Sequence, residues 1–151
     1  MRTVIQRVKK ASVRIKAENY IDEIGEGLLV LAAFEDGDTD ADLEWMSKKI
    51  CAMRIFDDED GVMNLSVSDT GRNVMVVSQF TLYASTAKGN RPSYIKAAKP
   101  EISIPLYEKF LKMMEDKMGR RIAHGHFGAD MQIALVNDGP VTIVVDSKLK
   151  F

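Results

Sequence analysis

The chain has 151 residues, 46% apolar and 28% charged, which suits one folded domain with its own core and not a disordered chain. Its formal net charge is −1 and it has one cysteine, Cys51, so no internal disulfide can form, and no stretch nears the roughly 20 apolar residues that cross a bilayer. A single cytoplasmic domain over residues 1–151, away from membranes, is the expectation.

The opening MRTVIQRVKKASVRI alternates apolar and basic residues and lacks the apolar core of a signal peptide. TVIQRV and ASVRIKA read as two strands joined near Lys9 and Lys10. After Gly25 and Gly27, the continuous apolar run LLVLAAF reads as a buried strand. The period then changes. Thr39 or Asp40 can cap a helix, acids fill its first turn, and Leu43, Met46, Ile50 and Met53 form one stripe;. Cys51 falls inside that helix as a core residue. DDEDG is a turn, and its spacing fails the calcium-loop pattern. NVMVVSQFTLY reads as a second buried strand, and TAKGNRPSYIKAAKP as a basic loop. SIPLYEKFLKMMEDKM carries Leu106, Phe110, Met113 and Met114 at helical spacing and ends near Gly119. MQIALVN and VTIVVD read as two last strands around the turn signal Asn-Asp-Gly-Pro. The fold class expected is mixed α/β (α+β): a curved, mostly antiparallel sheet or barrel-like core with two main helices.

Charge is unevenly spread. Residues 1–16 hold six Lys or Arg and no acid, residues 88–121 nine against four acids, and residues 35–60 ten acids against three bases. A local positive face can attract a polyanion whatever the total charge, although on charge alone solvated faces of helices and strands are the favoured reading. Lys88, Arg91, Lys96 and Lys99, with Tyr94 among them, could hold a phosphodiester chain, although such a loop by itself is more often solvated surface than a binding site.

Hydroxyl chemistry is harder to assign. On a straight strand Ser78 and Phe80 point one way, Gln79 and Thr81 the other. A serine or threonine nucleophile needs a base, and nothing in the sequence sets His124 or His126 beside Ser78 or Thr81. No GxSxG elbow is present. His124 and His126 share a face if extended, but no third zinc ligand suggests itself, so a structural role is the expectation and no metal is assigned.

SQFTLYA…KGNRPSY together with FGADMQIALVNDGPVTIVVDS closely resembles the D-aminoacyl-tRNA deacylases, once called D-tyrosyl-tRNA deacylases. MRTVIQRVKKASV, GLLVLAAFEDGDT and RIFDDEDGVMNLSV fit that family too, so the resemblance spans essentially the whole chain. SQFTL and NDGPVT at this separation are specific as a pair. The resemblance implies a cofactor-free homodimer acting on the aminoacylated 3′ end of tRNA, with no role for DNA and with active sites at the subunit interface. It implies that Gly139-Pro140 is a cis pair reaching into the other subunit's pocket, positioned by Arg7. The pocket residues it implies are Ser78, Gln79, Phe80 and Thr81 at the reacting ester, with Phe127, Met131 and Asn137 binding substrate. The implied reaction is hydrolysis of D-aminoacyl-tRNA, and of glycyl-tRNA mischarged on tRNA-Ala, with L-aminoacyl-tRNA rejected.

A backbone wall against the α-carbon gives that selectivity a physical basis. It admits hydrogen on its side and excludes a side chain, and it cannot yield by changing rotamer. Amides near Phe80 and Thr81 would hold the oxyanion. Either Thr81 as nucleophile or the ribose 2′-hydroxyl assisting water would complete the chemistry. A non-catalytic RNA-binding module and a small-molecule esterase are the competing readings, and neither has a signature of its own here.

Overall fold

A computed structural model describes all residues from Met1 to Phe151. The organising element is β1 (Arg2–Ile15), one continuous strand of 14 residues. The break expected at Lys9 and Lys10 is absent: both side chains are exposed and the backbone stays extended. Along one edge of β1 run β2 (Tyr20–Ile24) and β3 (Gly27–Ala33), antiparallel and in one unbroken register from Ile15↔Tyr20 to Arg2↔Ala33. Along the other edge runs β8 (Gln132–Asp146), also antiparallel. The remaining strands are β4 (Phe56–Asp57) and β5 (Met63–Leu65), a small hairpin, and β6 (Asn73–Ser78) and β7 (Ala123–His124), which extend the main sheet beyond β3 in parallel.

The curved sheet nearly closes. The Tyr20 hydroxyl of β2 donates to the His124 carbonyl of β7 at 2.9 Å, and the His124 amide donates to Asp22 at 3.1 Å. Burial works against ionisation of Asp22, yet the Arg121 guanidinium and the His124 amide hold its carboxyl below the usual range;.

Three α-helices occur, two of them long: α1 (Asp40–Ala52), α2 (Val67–Thr70) and α3 (Pro100–Met118). Thr39 caps α1, and its amide and hydroxyl donate to Asp42 at 2.9 and 3.0 Å;. Leu43, Met46, Ile50 and Cys51 are buried along it, and burial pushes the Cys51 thiol up to about 11, so it stays protonated and inert;. Helix α3 starts at Pro100, three residues before the stretch read as helical, with Pro105 inside it. That proline falls near the start, where it costs a single backbone bond to Glu101. The buried stripe of α3 is Ser103, Tyr107, Phe110 and Met114, with Leu106 and Met113 partly buried against the same core, so Tyr107 joins Leu106 on the inward face. No helix is long and apolar enough to cross a membrane.

Alternation along the central strands builds two cores. Leu28, Val30, Val74 and Val76 face α1 and α3, where Phe110 and Met46 are fully buried, while Leu29, Met75, Val77, Val8 and Val13 fill the concave side. Each such side chain contributes roughly 1.5–3 kcal/mol on burial. This is why β3 reads as an uninterrupted apolar run.

Two local expectations are corrected. Residues Phe80–Tyr83 form a turn of 3-10 helix, not the end of a strand, because the ladder to β3 ends at Ala32↔Ser78. MQIALVN and VTIVVD are one strand, β8, and Asn-Asp-Gly-Pro is not a corner between antiparallel neighbours. Both halves pair with β1, from Gln6↔Thr142 to Val8↔Asn137, so Asp138 to Val141 bulge out opposite Arg7 alone;.

Candidate active site

β6 carries Ser78 to the last rung of its ladder, where the Gln79 amide donates to the Ala32 carbonyl at 2.8 Å. The chain then coils, with Leu82 N–H bonded to the Gln79 carbonyl at 3.2 Å and Ala84 N–H to Thr81 at 3.0 Å. The opening amides of a helical turn, here those of Phe80 and Thr81, have no carbonyl behind them within that turn. The Gln79 side-chain amide donates to the Thr81 hydroxyl oxygen at 2.5 Å.

Ser78, Gln79 and Phe80 form one wall of a pocket of about 310 Å³, and Phe127, Met131 and Ile133 form the other. Phe80 is 53% exposed at its mouth. Thr81 adjoins this pocket without lining it.

Tyr107 of α3 bridges the two segments that lead into the walls, a role that the helical stripe assigned to Leu106 leaves out. Its buried hydroxyl lies 3.1 Å from the Val76 carbonyl and 3.0 Å from that of Gly125, so its proton can serve either. The Gly125 amide donates to Val76 at 3.2 Å. The Tyr107 ring packs 6.0 Å from Phe127. Burial pushes its phenol well up, keeping it a neutral donor;. The spacing Ser103, Tyr107, Phe110, Met114 is itself a helical period, so the sequence does hold a signal for it.

Arg7, Asn137, Gly139 and Pro140 stand elsewhere. None of them lines the pocket of its own chain. Arg7 is 9% exposed and threads the bulge. Its Nε donates to the Asp138 carbonyl at 3.1 Å, and Nη1 to the Ile55 carbonyl at 2.7 Å, with the Asp57 and Asp138 carboxylates 3.7 and 3.5 Å away. Gly139 has φ of 127° and is followed by a cis bond to Pro140. A β-carbon there would lie 2.9 Å from Val141 and 3.3 Å from the Arg7 guanidinium, so glycine is required on both counts. Gly139, Pro140 and Asn137 are exposed. The second edge of β8 has no partner strand, and Val136 and Val144 on this strand are each 45% exposed.

His124 and His126 flank Tyr20, with ring centroids 6.4 and 4.1 Å from it. His126 Nδ1 meets the Glu18 carboxylate. No group of three or more His, Cys, Asp or Glu side chains is placed to hold a metal.

The profile of the family described as D-Tyr-tRNA(Tyr) deacylase matches residues 4–146. The chain is 58% identical to the D-aminoacyl-tRNA deacylase of Flavobacterium johnsoniae over 148 residues, covering 98% of each chain. It is 58% identical to that of Parabacteroides distasonis over 150 residues, covering 99% of each. Among solved structures it is similar to the c-Myc DNA Unwinding Element Binding Protein, with a TM-score of 0.88 and 38% identity over 97% of this chain and 98% of that one. A probable eukaryotic D-amino acid tRNA deacylase shares the fold, with a TM-score of 0.83 at 18% identity over 95% and 97%.

Proposed function

The chain belongs to the D-Tyr-tRNA(Tyr) deacylase family and hydrolyses the ester bond of D-aminoacyl-tRNA, and from that premise we propose that two copies build each active site between them. The observation that carries the proposal is the separation of its parts. One chain holds a pocket with two walls, while the tethered Gly139-Pro140 bulge stands outside that pocket beside an unpaired strand edge. A second copy docking along this face supplies the bulge as a third wall. Burying Val136 and Val144 favours that association;.

The bulge meets the α-carbon of the esterified amino acid, with Asn137 beside it. D-residues, and glycine for want of a side chain, are accepted there, including glycine mischarged on tRNA-Ala. L-residues clash. Ser78 and Gln79 hold the ester, Phe127 and Met131 enclose the substrate, and the Phe80 and Thr81 amides take the developing oxyanion as water attacks. The Thr81 hydroxyl accepts from Gln79 and touches no base, which supports water activated by the ribose 2′-hydroxyl over a covalent route. Such an enzyme works as a cytoplasmic proofreader of translation.

Purified protein is expected to hydrolyse D-tyrosyl-tRNA at least about 10³-fold faster than L-tyrosyl-tRNA, the ratio a clash of about 4 kcal/mol produces. Equal rates on the two esters would remove the wall. Thr81→Ala is expected to keep turnover within about fivefold of the parent. A loss of about 10⁴-fold in a folded protein would instead restore the covalent route.

A further inference from the structure

A loop beside the pocket carries a cluster of charge that the ester chemistry does not use. From Ala84 to Lys99 the chain holds Lys88, Arg91, Lys96 and Lys99 and no acid. All four are exposed, and none is in an ion pair, although most cations elsewhere on the main sheet and α3 are. The loop is built rather than slack. Ser85 and Ser93 exchange backbone bonds at 2.8 and 2.9 Å across its neck, and the Ala98 amide donates to the Phe34 carbonyl at 2.9 Å.

Two aromatic rings stand at the same place. Tyr94 of the loop meets Phe80 of the pocket mouth edge to face at 5.2 Å. Phe80, Tyr94 and Ile95 are 53%, 39% and 92% exposed, respectively. Behind the loop lies a cleft of about 790 Å³, lined by Ser85, Thr86 and Lys96 and by Arg2 and Lys148. Glu35 and Asp146 line the same cleft. Asp146 pairs with Arg2 and Lys148 with Asp42, the Tyr83 hydroxyl donates to Glu35 at 3.3 Å, and Lys96 is the cation there without an ion pair.

Exposed rings next to unpaired cations are what a single-stranded nucleic acid needs: faces on which bases stack, and charges along its phosphates. A strand whose last nucleotide is esterified in the pocket must leave past Phe80. We infer that the Ala84–Lys99 loop is the track for the unpaired 3′ end of tRNA. The nucleotides preceding the esterified one stack on the Phe80–Tyr94–Ile95 platform, and Lys88, Arg91, Lys96 and Lys99 hold their phosphates, Lys96 from within the cleft. This rests on the deacylase reading, because that reading puts the strand's end in the pocket.

Binding of uncharged tRNA, measured by fluorescence anisotropy between 50 and 200 mM salt, tests the track. In the full-length protein, the combined Lys88→Ala, Arg91→Ala, Lys96→Ala and Lys99→Ala variant should bind about 30-fold more weakly at low salt. Its log Kd against log salt should flatten by about 3, because four phosphates are no longer neutralised by the protein. Tyr94→Ala should weaken binding about tenfold with the salt slope unchanged. Lys88→Arg, Lys96→Arg and Lys99→Arg together keep the charges and should bind as the parent does. Parental affinity and slope in the four-alanine variant would overturn the track. Deacylation of D-tyrosyl-tRNA by the unmodified protein separates the two readings: if it is active while that variant binds normally, the track alone fails, and if it is inactive, the deacylase reading fails first.

Discussion

Replacing Arg7 with alanine is expected to lower kcat/KM on D-tyrosyl-tRNA by about 10²-fold and to raise the relative rate on L-tyrosyl-tRNA. Arg7 is the only residue of β1 opposite the four-residue bulge, and its guanidinium ties the Asp138 carbonyl to that of Ile55. Without it the bulge keeps its sequence and loses its fixed position. A wall displaced by about 1 Å neither aligns the D-ester nor excludes the L-side chain, so both rates move. The carboxylates of Asp57 and Asp138 are 55% and 30% exposed and stay hydrated, so the stability cost comes from two missing charge-assisted bonds and the vacated space. It should be about 2–3 kcal/mol. Arg7→Lys retains the charge but cannot reach two carbonyls with a fork, and should remain defective in selectivity. A folded Arg7→Ala protein with the parent's D-to-L ratio would show that the bulge is held by something else.

Gly27→Ala should give the larger structural effect. Gly27 opens the parallel ladder between β3 and β6, opposite Asn73. A β-carbon there would lie 1.9 Å from the Asn73 carbonyl oxygen and 2.8 Å from its carbon. Both are backbone atoms, so no rotamer change relieves the overlap, and the strands must part at their first rung. The cost is expected near the upper end for overpacking, about 3 kcal/mol, or a fall of roughly 6–12 °C in Tm for a domain of this size. Because the same ladder carries Ser78 at its other end, activity should fall with it. Gly25→Ala, with nothing within 4 Å of its β-carbon, is the matched control and should melt with the parent. Equal melting of the two variants would mean that β3 and β6 separate cheaply.

The parts of the site differ in how plainly the sequence announces them. Ser78, Gln79 and Phe80 stand out as a group, and they do share a pocket wall with Phe127 and Met131 opposite. Their backbone is less legible, because a four-residue, mostly apolar stretch such as Phe80–Tyr83 satisfies a strand and a tight helix alike;. Asn-Asp-Gly-Pro is plainly irregular. Its chemistry marks a departure from regular backbone, and that is the same for a hairpin corner and for a bulge within one strand. Only the pairing of both halves with β1 distinguishes them.

Period and punctuation, both local properties, suffice for α1 and its start at Thr39 or Asp40, for the twice-buried β3, for the Gly119 end of α3 and for the inert Cys51. The paired motifs SQFTL and NDGPVT suffice for the family. Tertiary structure alone decides that β1 is unbroken, that Tyr107 is buried beside the partly buried Leu106, and which carbonyls the Arg7 guanidinium meets. The separation of the bulge from the pocket of its own chain, which the resemblance implied, takes its geometry from the same packing. These facts are relations between residues far apart in the chain, such as the 131 positions between Arg7 and Asp138. No propensity or spacing encodes which distant carbonyl a buried guanidinium will meet, because that depends on the register in which the strands pack.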